Sequence, residues 1–148
     1  MKFLVDAMLG RLATWLRLLG YDTVYSAKAN DQELARRARA EDRILLTRDI
    51  ELTRRRGVRC VRIESEQVEE QLAQVFRELH LQRDAVFSRC PACNAPLQLL
   101  DRQQAQGRVP PYVFLTQEQF RRCPQCGRVY WRGTHWAHIL ASLQDLEN

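Results

Sequence analysis

Up to residue 82 the chain alternates short apolar runs with stretches whose apolar residues recur every third or fourth position, the pattern of strands alternating with helices. Phe3-Leu4-Val5 is the first run and is followed by Asp6; Leu9, Leu12, Ala13, Trp15, Leu16, Leu18 and Leu19 then cover most of a helix that stops at Gly20. Tyr21 to Tyr25 predicts a second strand with Val24 inward, and Asn30 to Glu33 reads as a capping box opening a helix through Leu34, Ala35 and Ala38. Ile44-Leu45-Leu46-Thr47 predicts a third, fully buried strand ending at Arg48-Asp49. A short helix to Arg56 and a turn at Gly57 lead to a fourth strand, Val58 to Ile63. Ser65 is placed to cap a longer helix with Val68, Leu72, Val75, Phe76 and Leu79 on its apolar face, and His80 ends it. Strands and helices alternating at this spacing imply an α/β fold, a parallel sheet covered by helices on both faces.

A short linker, about Gln82 to Ser88, leads to a different pattern. Cys90-Pro91-Ala92-Cys93 and Cys123-Pro124-Gln125-Cys126 are two Cys-Pro-x-Cys pairs, and four thiolates in two such knuckles suit a closed, tetrahedral, structural zinc site. The competing reading is a redox dithiol or disulfides, although a redox Cys-x-x-Cys normally occurs once per domain, at a helix start after a strand. The gap from Cys93 to Cys123 is long for a zinc ribbon and holds Gly107, Pro110 and Pro111, so a loop is expected to bulge from it. Gly127 suits the tight turn after the second knuckle, Val129-Tyr130-Trp131 reads as a strand leaving it, and Thr134 to Leu146 as a final helix carrying Trp136, Ile139, Leu140 and Leu143. The chain thus divides into residues 1–82 and 88–148.

Charge adds a partner class. The net charge is +5, and Lys2 and Lys28 are the only lysines, so the positive residues are almost all Arg, whose fork donates to phosphate bidentately. Nucleic acid fits; solvated Arg-rich faces are the alternative. Asp6, Arg11 and Arg17 interrupt the apolar residues near the start, which argues against a signal peptide, and no run approaches membrane-spanning length. Thiolate ligands and the lack of a secretion signal point to a reducing cytoplasm, and Cys60, in a strand pattern, reads as an inert core thiol.

In an open parallel sheet, sites form beyond the carboxyl ends of the strands. Asp6, Asp31 and Asp49 fall there, with Glu33 and Glu51 two positions after the last two. A hard oxygen cluster of this kind suits Mg²⁺ or Mn²⁺, which can activate water and steady the leaving oxygen of a phosphodiester. Each Asp also sits near a helix start, where a carboxylate caps backbone N–H groups, so any one of them alone reads more readily as a cap. Arg11, Arg48 and Arg54-Arg55-Arg56 could bind phosphate nearby, the triple Arg also reading as a solvated helix end. His80, His135 and His138 form no alternative catalytic set, and there is no Gly-rich phosphate loop.

These residues resemble the Mut-seven C-terminal RNase domain family. The resemblance runs through Phe3-Leu4-Val5-Asp6-Ala7-Met8-Leu9-Gly10-Arg11-Leu12-Ala13, Trp15-Leu16-Arg17-Leu18-Leu19-Gly20-Tyr21-Asp22, Asn30-Asp31-Gln32-Glu33 and Leu45-Leu46-Thr47-Arg48-Asp49. It continues through both knuckles and Gly127-Arg128-Val129-Tyr130-Trp131 to Gly133-Thr134-His135-Trp136. The resemblance implies a PIN-like nuclease fold followed by a zinc ribbon, and a metal-dependent ribonuclease. By that resemblance Asp6 and Asp49 are the main metal ligands, Asp31 completes the shell directly or through water, Glu33 and Glu51 are accessory acids, and Thr47 is a hydrogen-bonding helper. The ribbon would extend the RNA surface through Arg121, Arg122, Arg128 and Arg132, with Tyr130 or Trp131 either stacking on bases or filling the ribbon core. The alternatives are a non-catalytic module that binds RNA or ribosomal particles, and a toxin-like nuclease held by a protein partner. Monomer and homodimer are both open.

Overall fold

The apolar runs become four parallel strands in the computed structural model, which describes residues 1–83, 85–134, 136–138, 140 and 141. They are β1 (Lys2–Val5), β2 (Asp22–Tyr25), β3 (Ile44–Thr47) and β4 (Cys60–Arg62), in the order β2-β1-β3-β4. Between them lie a 3₁₀ turn (Ala7–Leu9) with α1 (Gly10–Leu18), then α2 (Asp31–Glu41) and α3 (Ile50–Thr53); α4 (Val68–Leu79) follows β4. The two-residue period of the strands sorts their side chains. Phe3, Val5, Ile44 and Leu46 join the residues of α1 and α4 in the larger core, while Leu4 and Leu45 meet Leu34, Ala38 and Leu52 of α2 and α3 on the other face. The sheet is therefore buried on both sides, as the unbroken apolar run of β3 requires.

Local details differ from the sequence reading. In β2, Thr23 is fully buried and Val24 only partly, because Thr23 satisfies its hydroxyl by donating to the Tyr21 carbonyl, 3.0 Å away. The third helix ends at Thr53 rather than Arg56. Ser65 lies two residues before Gln67, the residue that precedes α4; its hydroxyl accepts from the Gln67 N–H at 3.0 Å and donates to Glu70. It therefore fixes the approach to the helix without being its cap. His80 ends α4 with a left-handed backbone.

The segment proposed as a linker is stitched to the first sheet. The Tyr21 hydroxyl both donates to the Gln82 carbonyl and accepts from the Gln82 N–H, each at 2.8 Å, and Phe87 is buried with its N–H donating to Leu18. Gly20, at φ +98°, lets this segment pass, since a Cβ there would sit 2.3 Å from the Ala85 carbonyl oxygen. Beyond it, β5 (Gln98–Leu100), β6 (Phe120–Arg122) and β7 (Val129–Tyr130) form an antiparallel three-stranded sheet. The expected bulge between the knuckles carries α5 (Arg102–Ala105) and α6 (Pro111–Thr116), and Ala105, Val109 and Phe120 give it a small core of its own. Thr134, residues 136–138, Leu140 and Ala141 are helical; His135, Ile139, Leu143 and the rest of the expected tail helix lie outside the described residues. Among the described residues no helix is long and apolar enough to cross a membrane.

Candidate metal centres in the ribbon and at the sheet edge

The four cysteines converge. The sulfurs of Cys90, Cys93, Cys123 and Cys126 all lie within 4.8 Å of one another, and the two knuckles are built alike. In each, the fourth residue's N–H points at the first sulfur, Cys93 to Cys90 at 3.3 Å and Cys126 to Cys123 at 3.4 Å. Gly127 turns the chain away at φ +78°. Tetrahedral sulfurs about 2.3 Å from zinc would stand about 3.8 Å apart, and Cys90 and Cys126 are 3.8 Å apart. The donor set and spacing thus fit zinc, and the four cysteines could hold it. As thiols they oppose one another's ionisation: hydrogen bonding with Cys126, burial and the charge of Cys90 push Cys93 up to about 12, a bias that a central cation reverses.

Residues outside the knuckles orient them. The Tyr130 hydroxyl lies 3.1 Å from the Cys90 sulfur, and burial together with that contact raises its pKa. This places Tyr130 beside the sulfurs, while Trp131 packs against the ribbon's small core. Asn94, left-handed at φ 68°, accepts from the Thr23 N–H at 3.0 Å and donates to Asp22 at 2.7 Å. Arg17 donates to the carbonyls of Thr23 and Pro91, both at 2.8 Å. The first knuckle is thereby fastened to the exposed edge of β2. Sequence reasoning missed Arg17 and Asn94 as docking residues; the one local signal was an Asn just after a knuckle, where a left-handed backbone is common.

At the other end of the sheet, β1 and β3 are neighbours and each is followed by an acid, Asp6 and Asp49. Asp6 is nearly buried, 8 % exposed, and one carboxylate oxygen accepts from the Met8 N–H at 3.2 Å. Its other oxygen accepts from the hydroxyl of Thr47, and that hydroxyl in turn accepts from the Asp49 N–H at 3.0 Å. Thr47 therefore joins the two strand ends. Asp49 caps α3 through the Glu51 N–H at 2.9 Å, and Asp31 is the first residue of α2, behind the cap Asn30. Asp6 and Asp49 thus act as caps, the alternative open from sequence, while Asp31 does not. Glu33 faces Asn30, whose side chain accepts the Glu33 N–H at 2.9 Å, and Glu51 is 3.6 Å from Arg54. Among the described residues, the acids do not form a group as close as the cysteines do.

The arginines divide. Arg11 is exposed on the first turn of α1, and Arg48 lies 3.5 Å from Glu66. Arg54, Arg55 and Arg56 are exposed past α3. In the ribbon, the guanidinium groups of Arg121 and Arg132 lie 5.3 and 5.5 Å from the centre of the Phe87 ring, whereas Arg128 is exposed. Cys60 is half-buried, and burial with the nearby Asp6 charge pushes its thiol up to about 11, which keeps it inert.

Neither a curated protein nor a solved structure matches the chain. The model of one family does, that of the Mut7-C RNAse domain, and it matches residues 1–143, the sheet, its acidic edge and the four-cysteine ribbon together. The chain belongs to the Mut7-C RNAse domain family.

Proposed function

We propose that the protein is a Mg²⁺- or Mn²⁺-dependent ribonuclease that hydrolyses RNA phosphodiester bonds at the carboxyl edge of β1 and β3, with the ribbon as a zinc-stapled module enlarging the RNA surface. Family membership supports a nuclease. The observation that carries the finer reading is the Thr47 hydroxyl, which ties the Asp6 carboxylate to the backbone of Asp49. A cap needs no such tie between strands, whereas two carboxylates sharing one ion need their spacing held.

The donor chemistry fits the ion. All candidate ligands are hard oxygens, and Mg²⁺ keeps several waters while taking one or two carboxylates directly. Asp6 and Asp49 would supply those, and Asp31, whose side chain caps nothing, would reach the site through water. Such an ion would supply an activated water and offset charge on the leaving oxygen. The protein's own part is positioning: Thr47 fixes Asp6 and the Met8 N–H holds its other oxygen, while Arg11 and Arg48 would meet phosphates. Glu33 and Glu51 are the accessory acids of this scheme. RNA in a reducing cytoplasm is the substrate and setting this reading assumes.

A second reading, a non-catalytic RNA- or ribosome-binding module, is favoured by the backbone N–H bonds that Asp6 and Asp49 already make as caps. The two separate in one assay. Zinc-loaded chain is incubated with end-labelled single-stranded RNA in Mn²⁺, in Mg²⁺ and in EDTA, with zinc content measured after each. Cleavage that needs the added ion while zinc is retained supports the nuclease. Bound but intact RNA in every arm supports the module.

A further inference from the structure

A groove of about 430 Å³ runs along α1 where the tail helix meets it. Arg11, Thr14, Trp15 and Leu18 make one wall, at the i, i+3, i+4, i+7 spacing of a single helix stripe, and Trp131, Gly133 and Trp136 make the other. All three tryptophans of the chain thus line one groove. Trp15 and Trp136 stack on each other, ring centres 5.4 Å apart and nearly parallel. Trp136 is only 7 % exposed, and its indole N–H has no hydrogen-bond partner.

We infer that this groove binds one unpaired nucleobase of the RNA whose backbone reaches the acidic edge, an inference that rests on the ribonuclease reading and deepens it. The walls are aromatic, as a sequence-tolerant stacking site requires. A base brings ring nitrogens and carbonyl oxygens, acceptors for the guanidinium of exposed Arg11 at the groove. Thr14 offers the complementary group: its hydroxyl donates to the Gly10 carbonyl at 3.2 Å, leaving its oxygen to accept. Exposed Arg11 opens the groove with a positive charge, five residues past Asp6 in the first turn of α1, so a base lodged here leaves its phosphate toward the carboxylates. The stripe from Arg11 to Leu18 covers about 10 Å of helix. Gly133 keeps the groove open: its φ is not left-handed, and a Cβ there would meet the Trp131 indole nitrogen at 3.9 Å, so a larger side chain is tolerated by the backbone and projects into the space.

Because every tryptophan lines the groove, intrinsic emission reports on it directly. The zinc-loaded chain is titrated, without added divalent ion, with a short single-stranded RNA, with the same RNA made abasic at each position in turn, and with its duplex. The expected result is quenching by the single strand, little by the duplex, and one abasic position that lowers affinity about 5- to 150-fold, the range for one stacked base. Gly133→Leu, which removes no packed side chain, and Trp131→Ala should each lower affinity in that range at unchanged zinc content. No quenching, or equal affinity across all abasic positions and both variants, overturns the groove. Quenching without cleavage in any ion sinks the catalytic reading alone, and cleavage without quenching sinks the groove alone.

Discussion

Thr47 is the residue on which the acidic edge turns. Its hydroxyl is fully buried, donates to Asp6 and accepts from the backbone of Asp49, so replacing it with an isosteric methyl leaves two polar groups unserved. Thr47→Val should cost about 1–3 kcal/mol in urea unfolding, with cleavage falling further than stability explains, while Thr47→Ser should keep both. At the opposite end of the sheet Arg43, 9 % exposed, holds Asp22 at 2.9 Å and Glu41 at 2.7 Å. Burial works against the Asp22 carboxylate, but hydrogen bonds from Arg43 and Asn94 outweigh it and lower its pKa; hydrogen bonds from Arg43 and Arg37 lower that of Glu41. Folded values below the unfolded ones mean that this stabilisation is complete above the carboxylate range and is lost as pH falls below about 4, through the lowered values. The urea midpoint should therefore drop on acidification, and Arg43→Met should flatten that drop; an unchanged slope would remove Arg43 from the account. Asp6 and Asp49 were legible in the sequence as acids following apolar runs, and Thr47 as a helper through the family resemblance alone. Their linkage through one hydroxyl was not, since Asp6 and Thr47 are 41 positions apart.

The elements followed from local pattern wherever one face had to be buried. The strands β1 and β3 were legible because each holds three consecutive apolar residues, and α4 because its apolar residues hold a helical period. The start of α4 was misplaced because Ser65 makes the hydrogen bonds of a capping residue two positions too early. The insertion between the knuckles was foreseen as a loop, for Gly and Pro are read as breakers, yet Pro110 and Pro111 precede and open α6, where a missing N–H costs nothing. Two predictions belong here. Gly20→Ala places a Cβ 2.3 Å from the Ala85 carbonyl at φ +98°, so it should lower stability by more than about 1 kcal/mol; an unchanged melting temperature would mean that residues 85–87 do not pack as described. Zinc should be present at one ion per chain, and Cys123→Ser should lose it along with the ribbon's cooperative unfolding. Retention of stoichiometric zinc by that variant would contradict the four-sulfur site.

Across the whole molecule the sheet and the ribbon share their packing. Trp136 and Phe87 enter the core of the first sheet, and Asn94 and Arg17 pin the first knuckle to β2. An edge strand with unpaired N–H groups invites aggregation, and Asn94 covers one of them. None of this joining was legible from the sequence, where Gln82 to Ser88 read as a short linker; contacts between positions about seventy residues apart leave no local pattern. What the joining does is hold the four-cysteine ribbon against a sheet whose far end carries the acids, and the tryptophan groove lies along the helix leading from that end. In the ribonuclease proposed above, Asp6 and Asp49 hold the ion at which the phosphodiester is hydrolysed. That role is tested most directly by the single-turnover rate of RNA cleavage in Mn²⁺ for the wild type and for Asp6→Asn/Asp49→Asn, purified in parallel with equal zinc content and equal unfolding midpoints. Cleavage by the wild type and a loss of at least about a hundredfold in the variant are expected; equal rates would place the chemistry elsewhere.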